Sequence, residues 1–279
     1  MSIISAIIMG LVLGFTEFVP VSSSGHGAIM QNMLGMTEGG NAMLFNAFAH
    51  LGIVIALLFF YLEALGRIFK ESRLVKQGIT HEKTRDGRVH YFAGRKMLGM
   101  LVLSSLPMLL IIPISRYIDM LSTKTVFVGF MMVLTGFALF NAGRVEAGNK
   151  NEYTATGKDA FIIGICQCIS VLPGLSRAGI TMAAGLDRGS SRSFTADYFA
   201  LLSIPTLIGT AILEFIKSAG GGFTMSALPA YLVGMVAAMI SALAGMSLLR
   251  RIARNGKFGG LAYYCWIVGV LTIILTFIF

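Results

Sequence analysis

Six apolar runs, at 42–62, 97–115, 125–142, 195–215, 227–249 and 259–279, are each long enough to cross about 30 Å of hydrocarbon. In lipid every backbone polar group must find its partner within the protein, so runs of this length must be helices. Composition agrees: of 279 residues, 56% are hydrophobic and only 13% charged, against roughly 25% charged in a soluble domain. The expected fold class is therefore an all-α integral membrane protein, with lipid as the solvent for much of its surface. Cys166, Cys168 and Cys265 lie in apolar stretches without paired spacing, which argues against a disulfide framework or a zinc site. The first 20 residues lack a basic start and run into a polar motif, so no cleavable signal peptide is expected.

Two further apolar stretches are interrupted. Ser2 to Phe18 stops at Pro20 and a Ser/Gly run and resumes to about Leu34; Ala160 to Leu172 stops at Pro173-Gly174 and resumes from Ile180 to Leu186. Each reads as two half-helices joined by a polar turn, that is, as re-entrant hairpins over 2–36 and 160–187. Irregular backbone at membrane depth survives only beside protein or a wet cavity, and a corresponding pair of such breaks marks a central binding site. The correspondence is weak residue by residue but consistent in order. Gly10 aligns with Gly164, Pro20 and Ser23 with Pro173 and Ser176, and Asn46-Ala47-Phe48-Ala49 with Asp197-Tyr198-Phe199-Ala200. The chain is thus expected to contain two repeats, 1–142 and 143–279, with six spans and two re-entrant hairpins.

Charge orients these repeats. The formal net charge is +9, but nine Lys/Arg fall between Arg67 and Lys96 and four between Arg250 and Lys257, both beside apolar runs. That placement serves topology, with attraction to anionic headgroups as a second role, and speaks against nucleic acid. With the basic loop 63–96 inside, alternation puts 18 Lys/Arg inside and only Arg116, Lys124 and Lys217 outside, leaving Arg177 in the second turn. The first hairpin then enters from outside and the second from inside, so the halves are inverted and their turns can meet near the midplane.

The turns carry the chemistry. The first, GFTEFVPVSSSGH from Gly14 to His26, gathers a carboxylate, three serines and an imidazole; the second, LPGLSRAGIT from Leu172 to Thr181, holds Ser176, Arg177 and Thr181. Ionisable groups at membrane depth are costly and usually functional. Arg177 presents a planar fork suited to phosphate, and Gly25 and Gly174 let backbone amides approach the same anion. His26 and Glu17 have the chemistry of acid and base, or of activating Ser23, and Glu17 can also ligate a divalent cation. Blander roles stand beside these: a structural Glu17–Arg177 ion pair, a hydrogen-bonded core His26, and Ser22, Ser23 and Ser24 as helix caps. His50 is expected to be structural or to support the site from behind. No Gly-rich nucleotide loop is present.

TEF followed by PVSSSGH, together with PGLSRAGIT, resembles the bacitracin-resistance family of undecaprenyl-diphosphate phosphatases, and the likeness spans nearly the whole chain. The resemblance implies hydrolysis of undecaprenyl diphosphate to the monophosphate, recycling the carrier lipid of cell-wall synthesis. It implies dependence on Mg²⁺ or Ca²⁺, with Glu17 as metal ligand and Glu17, Ser23, His26 and Arg177 as catalytic residues. Ser22, Ser24, Gly25, Gly174, Ser176, Arg177 and Thr181 would bind substrate. It further implies a multi-pass protein of the bacterial inner (plasma) membrane. Its expected partners are the lipid diphosphate and the bilayer, with a homodimer left open. Leu13 replaces the family's usual acidic residue or Gln, Ala178 its Ser and His50 its common Gln. A transporter or flippase of polyprenyl phosphate, or a weakly catalytic paralogue, is the alternative.

Overall fold

The computed structural model describes residues 1–33, 40–83, 89–219 and 225–278. Parts of the expected features therefore lie outside the described residues: the end of the first hairpin at 34–36, residues 84–88 of the basic loop, 220–224 of the polar stretch 216–226, and Phe279. The chain is overwhelmingly helical. Helix α1 (Ile3–Phe18) is followed by α2 (Ser23–Met33), then α3 (Gly40–Phe60) and α4 (Leu62–Lys76). A two-stranded hairpin, β1 (His81–Lys83) and β2 (Val89–Tyr91), leads to α5 (Gly94–Ser105), α6 (Ser115–Ser122) and α7 (Thr125–Arg144). The remainder comprises α8 (Gly157–Ile169), α9 (Arg177–Asp187), α10 (Arg192–Ser218), α11 (Leu228–Asn255) and α12 (Gly259–Ile278). Among the described residues, six segments are long and apolar enough to cross a membrane: Ala42–Phe60, Gly94–Ser122, Thr125–Arg144, Arg192–Ser218, Leu228–Asn255 and Gly259–Ile278. This is a multi-pass membrane protein.

Side-chain caps begin several of these helices. Ser2 caps α1, Ser176 caps α9 and Ser191 caps α10, each accepting from a backbone amide three residues on. Thr156 and Asp159 form a capping box at α8. Two expectations needed revision. The run 97–115 is not one α-helix: it turns into a 3-10 segment at Leu106–Ile114, where Pro107 and Pro113 withhold amide donors and so disfavour continuous α-helical bonding. The polar stretch 63–96 is more than a loop. It folds as α4 and the hairpin, and the Glu71 carboxylate accepts from the amides of Ala93 and Gly94 at 3.0 and 2.8 Å, closing the stretch onto the start of α5.

Small residues draw the helices together, as they must where lipid offers no hydrophobic drive for association. Helix α1 lies along α11: a Cβ on Gly10 would sit 2.3 Å from the Gly234 carbonyl oxygen, and one on Gly14 2.1 Å from that of Ala238. Helix α8 meets α5 in the same manner at Gly164, against Ser104. Helix α3 packs on α10, and α7 on α12. The effect is to wedge both interrupted segments, α1–α2 and α8–α9, among the long helices.

Candidate active site

The two turns meet. Glu17, at the end of α1, ion-pairs through Oε1 with the Arg177 guanidinium at the start of α9. Its Oε2 accepts from Ser23 Oγ at 2.6 Å. The Glu17 side chain is only 2% exposed and that of Arg177 17%. A carboxylate so buried is tolerable because both oxygens are engaged. Two residues 160 positions apart are thus joined by a charge-assisted bond, with a hydroxyl attached to the same carboxylate.

Capping geometry explains how each turn is held. Just before α2, Ser22 has a positive φ of 75°, and its Oγ accepts from the Gly25 amide at 3.0 Å. Just before α9, Ser176 Oγ accepts from the Gly179 amide at 3.1 Å. The equivalent caps are therefore Ser22 and Ser176, one residue out of register with the pairing of Ser23 to Ser176 read from the sequence. Gly174 adopts φ +100°, and a Cβ there would meet the Val128 carbonyl oxygen at 2.3 Å, so both conformation and space require glycine. The Gly174 amide donates to Ser24 Oγ at 3.2 Å, a second bond between the turns. Thr135 of α7 clamps the second turn: its Oγ1 accepts from the Ser176 amide and donates to the Gly174 carbonyl oxygen, both at 3.0 Å.

The expected residues now sort by what they touch. Glu17, Ser23, Arg177, Ser24 and Gly174 are connected across the turns. Gly25 and Gly174 spend their amides on serine hydroxyls, so an anion would have to recruit other donors at the two helix starts. Thr181 lies one helical turn from Arg177 and is buried, with no partner for its Oγ1 among the described residues. That is an uncommitted donor and acceptor on the same helix as Arg177. His26 is turned to different partners. Its Nδ1 donates to the Ser22 carbonyl oxygen at 2.8 Å, which leaves Nε2 as the acceptor of a neutral ring. Nε2 lies 2.8 Å from the Tyr264 hydroxyl of α12, and the two rings stack. Leu13 is buried one turn before Glu17, with its Cδ2 2.9 Å from where a Gly27 Cβ would be.

Sequence reasoning missed Thr135, Tyr264 and Glu214. Thr135 and Tyr264 give no signal in apolar helices. Glu214 did: a carboxylate inside the run 195–215 is itself a mark of function or pairing. It lies 2.7 Å from His50 Nδ1. A cavity of about 190 Å³ lined by Tyr61, Arg67, Glu71, Asp197 and Arg250 shares no residue with the turns. There Asp197 already accepts from Tyr61 and Arg250, so the turns are the better candidate.

For a divalent cation the donor set is thin. No group of three His, Cys, Asp or Glu side chains able to hold a metal occurs among the described residues, and both Glu17 oxygens are already bonded. The residues do not build a cage for a resident ion.

Known proteins align along this whole chain. An undecaprenyl-diphosphatase of Desulforapulum autotrophicum is 34% identical over the whole of both chains. One from Carboxydothermus hydrogenoformans is 32% identical over 99% of this chain and 98% of its own, and one from Methanosphaera stadtmanae 31% identical over 99% of each. Residues 6–271 match the family described as bacitracin resistance protein BacA, a range that takes in both polar turns and every spanning helix but the tail of the last. With the two turns joined as they are, and relatives aligned from end to end, this chain belongs to the bacitracin resistance protein BacA family.

Proposed function

We propose that this protein hydrolyses undecaprenyl diphosphate to undecaprenyl phosphate and inorganic phosphate, within a bacterial plasma membrane, and thereby returns the carrier lipid to cell-wall synthesis and confers bacitracin resistance. The observation that carries the reading is the Arg177–Glu17–Ser23 chain across the two turns, in a family whose aligned relatives bear that activity in their names. Phosphoryl transfer asks mainly for positioning and charge stabilisation. An incoming terminal phosphate competes with Glu17 for the Arg177 fork, and Thr181 and the free amides at the starts of α2 and α9 add donors. Glu17, released from Arg177, is then a base already bonded to Ser23.

Ser23 acts either as nucleophile or as a positioning hydroxyl. As nucleophile, its Oγ forms a bond to the terminal phosphorus while its proton passes to Glu17, and the bond to the bridging oxygen breaks. The lipid monophosphate leaves, and water afterwards cleaves the phosphoserine to free phosphate. His26, three residues along α2, is the candidate base that takes a proton from that water through Nε2 once Tyr264 gives up the nitrogen, while the lipid monophosphate departs as its anion. Glu17 is the one carboxylate of the turns that could ligate a Mg²⁺ or Ca²⁺ ion, which would offset phosphate charge.

With it we infer an architecture of two inverted halves, 1–142 and 143–279, each with a re-entrant hairpin and with the basic stretch 63–96 on the cytoplasmic side. The reciprocal packing of α1 on α11 and of α8 on α5 favours it. Purified protein in detergent with farnesyl diphosphate and Mg²⁺ should release phosphate, chelator should stop it, and Arg177→Ala should abolish it. An inactive wild type across a range of metals defeats the proposal.

A further inference from the structure

A second ionic pair stands beside the first. His50 of α3 donates through Nδ1 to Glu214 Oε2 of α10 at 2.7 Å, with side chains 16% and 17% exposed. His50 is close enough to interact electrostatically with both Glu17 and Arg177. The other cation near Glu214 on the same helix, Lys217, is bonded to Asp119, so His50 is the bonded partner of Glu214 among the described residues. No hydrogen bond among those residues takes His50 Nε2. The four groups alternate in sign along Arg177, Glu17, His50 and Glu214.

We propose that His50, held by Glu214, is a second headgroup-binding cation of the site, acting with Arg177 on the diphosphate; this rests on the hydrolase reading given above. When phosphate takes Arg177 from Glu17, the carboxylate is left facing an anion. His50 then supplies the compensating charge, and its Nε2 is the ring position still open to a phosphate oxygen. Glu214 is the positioning residue: its carboxylate holds Nδ1 and fixes the imidazole ring. This accounts for a carboxylate inside an apolar span, which would otherwise only cost stability.

The test uses the full chain in detergent with farnesyl diphosphate, measuring equilibrium binding by calorimetry, kcat and KM by phosphate release, and the unfolding midpoint. A lost charge-assisted hydrogen bond weakens binding about tenfold or more. His50→Ala and Glu214→Gln should each raise Kd and KM about tenfold with kcat within about threefold, and His50→Arg should recover most of the binding. Unchanged Kd and KM in both His50→Ala and Glu214→Gln overturn the inference, as does a loss confined to the unfolding midpoint. So does a His50→Arg variant that folds like wild type yet binds no better than His50→Ala. An inactive wild type sinks the hydrolase reading instead, and the binding measurements still decide the role of His50.

Discussion

Removing Arg177 should cost the fold as well as the reaction. The Glu17 side chain is 2% exposed and keeps only the Ser23 bond once the guanidinium is gone. Breaking a buried pair by removing one partner typically costs about 3–5 kcal/mol, because the remaining charge loses its bonded partner; the more distant charge of His50 places the expected loss toward the lower end. Removing both charges is far milder, since neither is then stranded. The perturbation is therefore a cycle of Arg177→Gln, Glu17→Gln and the double variant. Its readout is reversible unfolding in mixed micelles titrated with SDS. Arg177→Gln should lose about 3–5 kcal/mol, and the double variant should regain much of that, with a coupling of about 2–3 kcal/mol. Phosphate release should be lost in all three, so stability and activity part company in the double variant. Additive losses, within about 0.5 kcal/mol, would mean that the two side chains do not share a buried bond, and the site as described would fall with them.

Three more outcomes follow from particular contacts. Gly174→Ala places a side chain at φ +100° and a Cβ 2.3 Å from the Val128 carbonyl oxygen; it should lower the unfolding midpoint and activity together, the backbone strain alone costing about 1–2 kcal/mol. Gly99→Ala, in α5 with nothing within 4 Å of the new Cβ, should instead be neutral or stabilising by up to about 1 kcal/mol. For Asp159, burial pushes the carboxyl up, but bonds from Lys150, Thr156 and Arg188 outweigh it and hold the group well below the usual carboxylate range. A depressed folded-state value means that its stabilisation is intact at neutral pH and drains as pH falls below about 4. The acid limb of the unfolding midpoint should therefore flatten in Asp159→Asn, and an identical limb would contradict the assignment.

Much of this molecule was readable before any coordinates. Hydrocarbon thickness and backbone satisfaction dictate the six spans, and the polar breaks at Pro20 and Pro173-Gly174 stand out against apolar flanks. Glu17, Ser23 and Arg177 were legible as chemistry because charge at membrane depth is rare. Side-chain pairing was not legible. The Nε2 of His26 goes to Tyr264, 238 residues away, a choice made by how α12 lies against α2 and invisible to local pattern. Thr135 is one threonine in an apolar helix until the second turn folds onto it. The 3-10 segment after Ser105 had its signal in Pro107 and Pro113, masked by an unbroken apolar composition. Cap register differs by one residue because Ser22, not Ser23, turns its hydroxyl back on α2, and three adjacent serines conceal which one does so.

The account turns on whether a lipid diphosphate loses its terminal phosphate in the grip of both turns. Phosphorus NMR on undecaprenyl diphosphate in proteoliposomes reads this directly. Wild-type protein should replace the diphosphate resonances with equal amounts of phosphomonoester and orthophosphate, and Arg177→Ala should leave them intact. Diphosphate that persists with folded wild-type protein and Mg²⁺ or Ca²⁺, or that is cleaved equally well by Arg177→Ala, would contradict it.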